Sequence, residues 1–155
     1  MCAVTPAESW ANCGKEMLTG ACIHPDLMRV LSLCGHGDKV LIADGNYPLA
    51  SRSGGAEKVY LGLTPGLPTV TDVLAVLQTV VCVEKAEVMD PEDGSTPEIF
   101  GVFRQMLGDM ELQGLGRYAF YDACCEPGVR LAVSTGEGRT FANLLLTIGV
   151  ADGTH

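Results

Sequence analysis

The segment Cys34-Gly-His-Gly-Asp-Lys-Val-Leu-Ile-Ala-Asp44-Gly-Asn-Tyr-Pro48 contains two polar turns with a short apolar run between them. The run, residues 40–43, is flanked on both sides by glycine and aspartate, which is typical of a buried β-strand. His36 lies in the turn before the run, and Asp44 follows the run directly. The segment therefore predicts a strand with one chemically active side chain near each of its ends.

The two ends of this strand are not equivalent. In an open α/β sheet, ligands bind in the crevice past the carboxyl ends of the strands, so Asp44 is a candidate ligand-binding carboxylate. His36 precedes the strand and is expected at the opposite edge of the sheet. Only a neighbouring loop or a neighbouring subunit would bring His36 to the same site as Asp44.

The residues on either side of this strand alternate between helical and extended patterns. The sequence His24-Pro25-Asp26 predicts the start of a helix that runs to Cys34, with Gly35 ending it in the left-handed conformation. Two more helices are expected over residues 69–80, capped by Thr69 or Thr71, and over residues 97–107. Strands are expected over residues 58–63, 81–89, 129–135 and 144–150, irregular structure over 108–116, and an extended start or a short helix over 117–125.

Strands that alternate with helices favour one α/β domain with helices on both faces of the sheet. We expect a three-layer α/β/α domain over residues 23–155, with a mostly parallel or mixed central sheet. Residues 1–22 are expected to form an N-terminal extension. The length of 155 residues suits a single domain, which would bury roughly 70% of the surface that its unfolded chain exposes.

The composition excludes several classes of partner. A formal net charge of -9 makes nucleic acid an unexpected partner, because no basic surface is available for phosphates. No apolar run reaches the length of a membrane span and no signal-peptide pattern is present, so we expect a cytoplasmic protein that has no membrane partner. The seven cysteines form no C-x-x-C pair, which favours reduced thiols and no metal site. The positive mean hydropathy favours subunit contacts that hide apolar surface.

Four motifs occur in order along the chain: Gly35-His-Gly-Asp38, Asp44 with Pro48, Arg117-Tyr-Ala-Phe-Tyr121, and Thr135-Gly-Glu137 followed by Asn143. In order and approximate spacing they resemble the fucose mutarotase / D-ribose pyranase family over residues 24–150, nearly the whole chain. The Arg-Tyr-Ala-Phe-Tyr segment and the glycine at position 37 are similar to the fucose branch of that family.

The resemblance implies an isomerase that interconverts the α and β anomers of L-fucose or a related reducing monosaccharide, without a metal or cofactor. It implies that His36 is the general acid/base. It also implies a ring-like homo-oligomer, a decamer among relatives, with active sites at subunit contacts. The implied sugar-binding residues are Asp44, Arg117, Tyr121, Phe141, Ala142 and Asn143.

These residue types suit the reaction on chemical grounds alone. Exchange of anomers breaks the bond between C1 and the ring oxygen, so the anomeric hydroxyl loses a proton and the ring oxygen gains one. A positioned acid/base contributes roughly 10²- to 10⁴-fold, and histidine side chains exchange protons near neutral pH. A carboxylate accepts hydrogen bonds from sugar hydroxyls, while the fork of an arginine donates several.

Alternatives remain open for the sugar and for single residues. Phe141 stands where the fucose branch usually has tyrosine, and Gly-Asn-Tyr after Asp44 also differs from many relatives. The chain is therefore also compatible with a D-ribose pyranase, or with a non-catalytic sugar-binding or regulatory subunit of an uptake system. Each of the following residues also has a structural alternative. Asp44 is suited to capping the next turn, and Arg117 to pairing with Glu111 or Asp122. Tyr121 is suited to core packing, and Asn143 to holding its own turn.

Overall fold

The predicted strand after the His36 turn is β1, and it lies inside a six-stranded mixed sheet. The structure is a computed structural model that describes residues 17–152. The described elements, in chain order, are α1 (Pro25–Leu33), β1 (Lys39–Ala43), β2 (Glu57–Tyr60), α2 (Val70–Leu77), β3 (Val83–Met89), α3 (Glu98–Met106), β4 (Leu112–Leu115), α4 (Arg117–Cys124), β5 (Val129–Ser134) and β6 (Leu144–Ile148).

The strand order is β2-β5-β1-β6-β3-β4, and only β6 runs antiparallel to its neighbours. The carboxyl ends of the five parallel strands therefore meet at one edge of the sheet, together with the amino end of β6. We call this the carboxyl edge and the opposite one the amino edge. Residues that follow a parallel strand or precede β6 are thus brought together, however distant they are in sequence.

Helices cover both faces of the sheet, which confirms the predicted three-layer arrangement. Alternate residues of β1 face opposite sides, because side chains alternate along a strand. Val40 and Ile42 pack in a core with α1, α2 and α3, while Leu41 and Ala43 pack in a second core with α4 and Leu49. The sheet is therefore buried on both faces, which explains its continuous apolar runs.

The ends of the helices follow local signals in most places. Thr69 caps α2 with a complete capping box, since its hydroxyl accepts from the Asp72 amide and the Asp72 carboxylate accepts from the Thr69 amide. The prediction that Gly35 ends α1 in the left-handed conformation is wrong: α1 ends at Leu33, and Gly37 is the residue with positive φ, 90°. The Asp38 carboxylate accepts the Gly35 amide at 2.8 Å and closes the turn instead.

Two segments of the chain differ in secondary structure from the sequence prediction. Residues 108–116, expected to be irregular, contain the edge strand β4, which pairs in parallel with β3. The strand was missed because its sequence, Leu-Gln-Gly-Leu, is short and partly exposed. Residues 117–125, left open between extended and helical structure, form the helix α4. Several predicted ends are also long by two or three residues, notably those of β2 and α2.

The predicted N-terminal extension, residues 1–22, falls mostly outside the described residues. Cys22 is described and is buried in the core beside α1. All five cysteines within residues 17–152 are free. In the same range, no helix combines the length and the apolar character that crossing a bilayer would require.

Candidate functional site

A cavity of about 240 Å³ opens at the carboxyl edge of the sheet. Its size suits a ligand such as one sugar ring rather than a drug-sized molecule. The lining mixes polar and aromatic side chains from separate parts of the chain. The lining residues are Asp44, Asn46, Tyr47, Met89, Arg117, Tyr121, Thr140, Phe141 and Asn143.

The sheet topology explains why these residues meet. Asp44 follows β1, Met89 ends β3, and Arg117 begins the helix that follows β4. Asn143 directly precedes β6, whose reversed direction places its amino end at the same edge. The cavity therefore lies where polar groups past the strand ends converge, the position at which open α/β sheets bind ligands.

Asp44 and Asn143 form a buried polar pair at the base of this site. The Asp44 amide donates to Asn143 Oδ1 at 2.8 Å, and Asn143 Nδ2 donates to Asp44 Oδ2 at 3.3 Å. Asp44 Oδ1 also accepts the Asn46 amide at 3.0 Å, so Asp44 caps the following turn. Asp44 thus has the capping role considered for it, whereas Asn143 holds the turn after β1 rather than its own turn, and both residues also line the cavity.

Burial raises the pKa of Asp44 above its ordinary value, and the hydrogen bonds from Asn46, Tyr47 and Asn143 oppose that shift. No cation pairs with the Asp44 carboxylate among the described residues. A buried carboxylate that lacks a cationic partner is a strong acceptor for neutral donors such as hydroxyl groups. Asp44 is therefore suited to a ligand rich in hydroxyls.

Arg117 is the first residue of α4 and lines the cavity. A cation at the amino end of a helix is unfavourable by about 0.3–1 kcal/mol, because the helix dipole is positive there. The predicted alternatives, pairing with Glu111 or Asp122, are not observed among the salt bridges within residues 17–152. Arg117 is exposed and lines the cavity, so its guanidinium is accessible there.

Tyr121 packs against a second aromatic ring and also lines the cavity. Its ring packs against Tyr47 with centroids 5.5 Å apart, and the Arg52 guanidinium lies 5.2 Å from its centroid. The Tyr47 hydroxyl in turn donates to the Arg52 carbonyl at 2.8 Å. Tyr121 thus forms a fixed aromatic wall of the cavity, whereas Tyr118 is 69% exposed and does not line it.

Phe141 and Ala142 differ in their relation to the cavity. Phe141 lines it and has a φ of 59°, an unfavourable left-handed conformation for a bulky residue. Ala142 is fully buried in the core and is not part of the lining, so the structure does not bring it to the cavity with the other predicted residues. The strained backbone at Phe141 turns the chain into β6 and aims the ring at the cavity.

His36 lies at the amino edge, away from this cavity. Its Nε2 is 3.0 and 3.2 Å from the two carboxylate oxygens of Glu84, at the start of β3. The length of β1 alone separates it from the cavity by roughly 16 Å, at about 3.3 Å per residue. A single chain therefore keeps His36 apart from Asp44 and Arg117. The direction of β1 predicted this separation.

The sequence prediction quoted Glu137 in a motif but assigned it no role. The carboxylate is buried and accepts from Arg139 Nε and Nη2, both at 2.9 Å, and from the Val70 amide at 3.2 Å. The Glu137 carbonyl accepts the Gly45 amide at 3.0 Å. Glu137 therefore ties the start of α2 and the loop before β6 to the turn that follows Asp44. The sequence feature that could have identified Glu137 is the position of its carboxyl group just past the end of β5.

Replacing Glu137 by glutamine should lower the free energy of unfolding by about 2 kcal/mol at neutral pH, since charge-assisted hydrogen bonds to Arg139 are lost. These hydrogen bonds lower the pKa of Glu137 below its ordinary value. A carboxyl group whose pKa is lowered by folding stabilises the protein above its unfolded pKa, and this stabilisation is lost as the pH falls through the folded pKa. The difference between the two proteins should therefore shrink on acidification in urea unfolding followed by circular dichroism.

The exposed Glu111, changed to glutamine, is the matched control and should unfold like the wild type. An equal free energy of unfolding for wild type and Glu137→Gln across the whole pH range would show that the Arg139 contacts contribute nothing.

Open α/β sheets bind small ligands past the carboxyl ends of their strands, and the cavity of this sheet lies there with polar and aromatic walls. Residues 17–151 match the RbsD / FucU transport protein family, and the chain belongs to this family. The family predicted from the four motifs is thereby confirmed.

Relatives with two different names are similar to this chain. D-ribose pyranase of Paracidovorax citrulli is 35% identical over 137 residues, covering 84% of this chain and 95% of that protein. Fucose mutarotase of Bos taurus is 29% identical over 140 residues, covering 84% of this chain and 90% of that protein. The family thus includes sugar pyranases and sugar mutarotases.

Solved structures agree with the fold. Bacillus subtilis RbsD complexed with D-ribose has a TM-score of 0.76 and 29% identity, covering 88% of this chain and 100% of that one. Fucose mutarotase from Streptococcus pneumoniae in complex with L-fucose has a TM-score of 0.71 and 28% identity, covering 84% and 95%. Both of those proteins bind a monosaccharide.

Proposed function

We propose that this protein is a mutarotase that interconverts the anomers of L-fucose or a closely related reducing monosaccharide in the cytoplasm. His36 is the general acid/base, and Asp44, Arg117 and Asn143 hold the sugar hydroxyls. The observation that carries this proposal is that a buried acceptor, Asp44, and an unpaired donor, Arg117, both line one monosaccharide-sized cavity within the described residues.

The cavity wall offers complementary groups for each part of a sugar. Hydroxyl groups donate to Asp44 and accept from Arg117, and Asn143 keeps Asp44 in place while lining the same wall. The rings of Tyr121 and Phe141 provide apolar surface for the C–H face of the sugar. Proton transfer and hydrogen bonding are sufficient for this reaction, so the proposal includes no metal and no cofactor.

The apolar part of the lining supports L-fucose in particular. C6 of L-fucose is a methyl group, whereas C6 of most hexoses is a hydroxymethyl group. Met89 is buried at the end of β3 and lines the cavity with Phe141. A methyl group placed against these side chains is favourable, whereas a hydroxyl group there would lose its hydrogen bonds to water.

D-ribose is the second candidate. Relatives named D-ribose pyranase include proteins 35% and 30% identical to this chain, which favours exchange between the pyranose and furanose forms of ribose. The same residues would serve this reaction, since it also opens and recloses the ring at C1. A non-catalytic sugar-binding subunit of an uptake system would bind the sugar without exchanging its anomers.

We further propose that the active site is completed by a second copy of the chain. The His36 turn lies at the amino edge and the cavity at the carboxyl edge, so joining them puts two different surfaces in contact. Head-to-tail contacts of this kind form a ring when the rotation between neighbouring copies closes. Apolar side chains flank both surfaces, since Leu33 and Tyr118, each 69% exposed, lie next to the turn and the cavity in sequence. A decamer is the assembly that the family resemblance implies.

Saturation-transfer NMR on wild-type protein with L-fucose, L-galactose and D-ribose tests this function. We expect exchange between the anomeric protons of L-fucose to be faster than in buffer. L-galactose differs from L-fucose only by a hydroxyl at C6, so its exchange should be roughly 10- to 100-fold less efficient if that methyl packs in an apolar wall.

The other outcomes distinguish the alternatives. Catalysed exchange between ribose ring forms without fucose exchange would replace the proposal by the ribose pyranase activity. Sugar binding without any catalysed exchange would indicate a non-catalytic binding subunit.

A further inference from the structure

We infer that Glu84 is a positioning residue for His36: its carboxylate holds the ring proton on Nε2, so that the imidazole presents an unprotonated Nδ1 to the sugar. This inference rests on the proposed function and adds a residue to it. Within its own chain Glu84 does not line the cavity at the carboxyl edge, and the histidine tautomer tests whether it acts through His36.

The geometry selects one tautomer of the ring. Both carboxylate oxygens of Glu84 lie within hydrogen-bonding distance of His36 Nε2, at 3.2 and 3.0 Å. Among the described residues, Nδ1 of His36 has no hydrogen-bond partner. A neutral imidazole carries a single proton, and a carboxylate acceptor stabilises it on the facing nitrogen. The other nitrogen is then a free base directed away from its own chain's carboxylate.

The turn itself does not depend on Glu84. The Gly37 amide donates to the Ile148 carbonyl at 2.9 Å, and the Ile148 amide donates to the Asp38 carbonyl at 2.8 Å. The Asp38 carboxylate closes the turn on the Gly35 amide. Backbone contacts with the end of β6 thus hold the His36 turn in place, and the Glu84 carboxylate determines only the state and direction of the ring.

The end of β6 leaves space for this carboxylate. A Cβ atom on Gly149 would lie 3.0 Å from the Cβ of Glu84 and 3.3 Å from its Oε2. The Gly149 amide also donates to the Cys82 carbonyl at 2.9 Å, which keeps this backbone close to β3. A residue with a side chain at position 149 would crowd the carboxylate against which His36 packs.

The lysines near Glu84 form ion pairs with other carboxylates. Lys85 pairs with Glu87 at 3.2 Å, and Lys39 pairs with Glu87 and Glu126 at 3.5 Å each. Within residues 17–152, His36 is therefore the one basic group paired with Glu84. The Glu84 carboxylate is therefore placed to face the imidazolium that forms during the reaction.

The ring opening can be written with its atoms balanced. Nδ1 takes the proton of the anomeric hydroxyl, and the O–H electron pair becomes the second bond of the aldehyde at C1. The bond between C1 and the ring oxygen breaks, its electron pair stays on that oxygen, and the imidazolium returns a proton to it. The aldehyde rotates and the ring closes by the reverse steps. Glu84 stabilises the transient imidazolium, much as a carboxylate does behind the histidine of a catalytic triad.

Two substitutions separate the charge of Glu84 from its hydrogen bond. Glu84→Gln keeps an acceptor but removes the charge, and Glu84→Ala removes both. We expect kcat for the preferred sugar to fall by roughly 10-fold in the first and 100-fold in the second, with KM unchanged. Glu84 is exposed on the surface, so neither change threatens the fold. Glu126→Gln, which removes another exposed carboxylate at the amino edge, is the matched control and should keep wild-type kcat.

The ¹⁵N chemical shifts of histidine-labelled, full-length protein report the tautomer directly, and His36→Ala identifies the signal. We expect the Nε2-protonated form in the wild type and a mixture of tautomers in Glu84→Ala. Unchanged tautomer and unchanged kcat in Glu84→Ala, with an active wild type and an inactive His36→Ala, would overturn this inference and leave the proposed function intact. An inactive wild type, or an active His36→Ala, would instead overturn the proposed function.

Discussion

Replacing His36 by alanine is expected to slow the enzymatic exchange of sugar anomers by about 10²- to 10⁴-fold, the usual contribution of a positioned acid/base. Asp44, Arg117 and Asn143 line the cavity without contacting His36, so binding of the sugar should persist. The His36 side chain is 59% exposed, and within residues 17–152 its ring forms hydrogen bonds only with Glu84, so the fold should be retained. Saturation-transfer NMR measures the rate, and line broadening or calorimetry measures the binding.

A second histidine provides the control for this experiment. His24 caps α1, since its Nδ1 accepts the Leu27 amide at 3.3 Å, and it lies far from the turn that carries His36. His24→Ala should lower the free energy of unfolding by about 1 kcal/mol, as the loss of a helix cap does, without slowing the exchange. Wild-type exchange rates in His36→Ala would end the proposal that this imidazole is the catalyst.

Mixed oligomers of His36→Ala and Arg117→Ala chains are expected to recover activity that neither protein has alone. Arg117→Ala should weaken sugar binding by roughly 1–3 kcal/mol, because hydrogen bonds from a charged donor are lost. If each site takes His36 from one chain and Arg117 from its neighbour, about a quarter of the sites in a random one-to-one ring contain both intact residues. The activity of the mixture, assembled by joint refolding, should therefore approach a quarter of the wild-type value.

A control must show that the two variants have assembled into the same rings. Native mass spectrometry on proteins of different isotope content would show mixed rings, and each variant refolded alone provides the baseline. Mixed rings without any recovery would mean that one chain supplies both residues, which contradicts the separation between the amino and carboxyl edges. Absence of any assembly larger than one chain would rule out a site shared between copies.

Much of the candidate site could be predicted because strand direction is a local property. The apolar run before Asp44 and the turn residues on both sides are sufficient to predict β1 and the chemical difference between its two ends. The same argument placed His36 away from Asp44, and the structure agrees. Thr69 was also a predicted candidate for the cap of α2, because a capping box is formed by residues three positions apart and is therefore a local signal.

The errors arise where contacts distant in sequence override a local signal. Gly35 looked like a helix C-cap, but Asp38 and the end of β6 impose a different turn, and Gly37 takes the positive φ. The strand β4 has little intrinsic strand character and exists because it pairs with β3. Glu137 gained its role only because Val70 and Gly45 are brought to it by the fold.

Local patterns of apolar and turn residues thus specify most of the elements, the chemistry of the side chains and the family of this protein. They do not specify the order of strands, because hydrogen bonding between strands depends on residues far apart in the chain. The pairing of Asp44 with Asn143, separated by 99 positions, exists only because β6 enters the sheet antiparallel beside β1. The tertiary structure alone therefore decided that a carboxylate, an amide and the guanidinium of Arg117 surround one cavity, with His36 at the opposite edge.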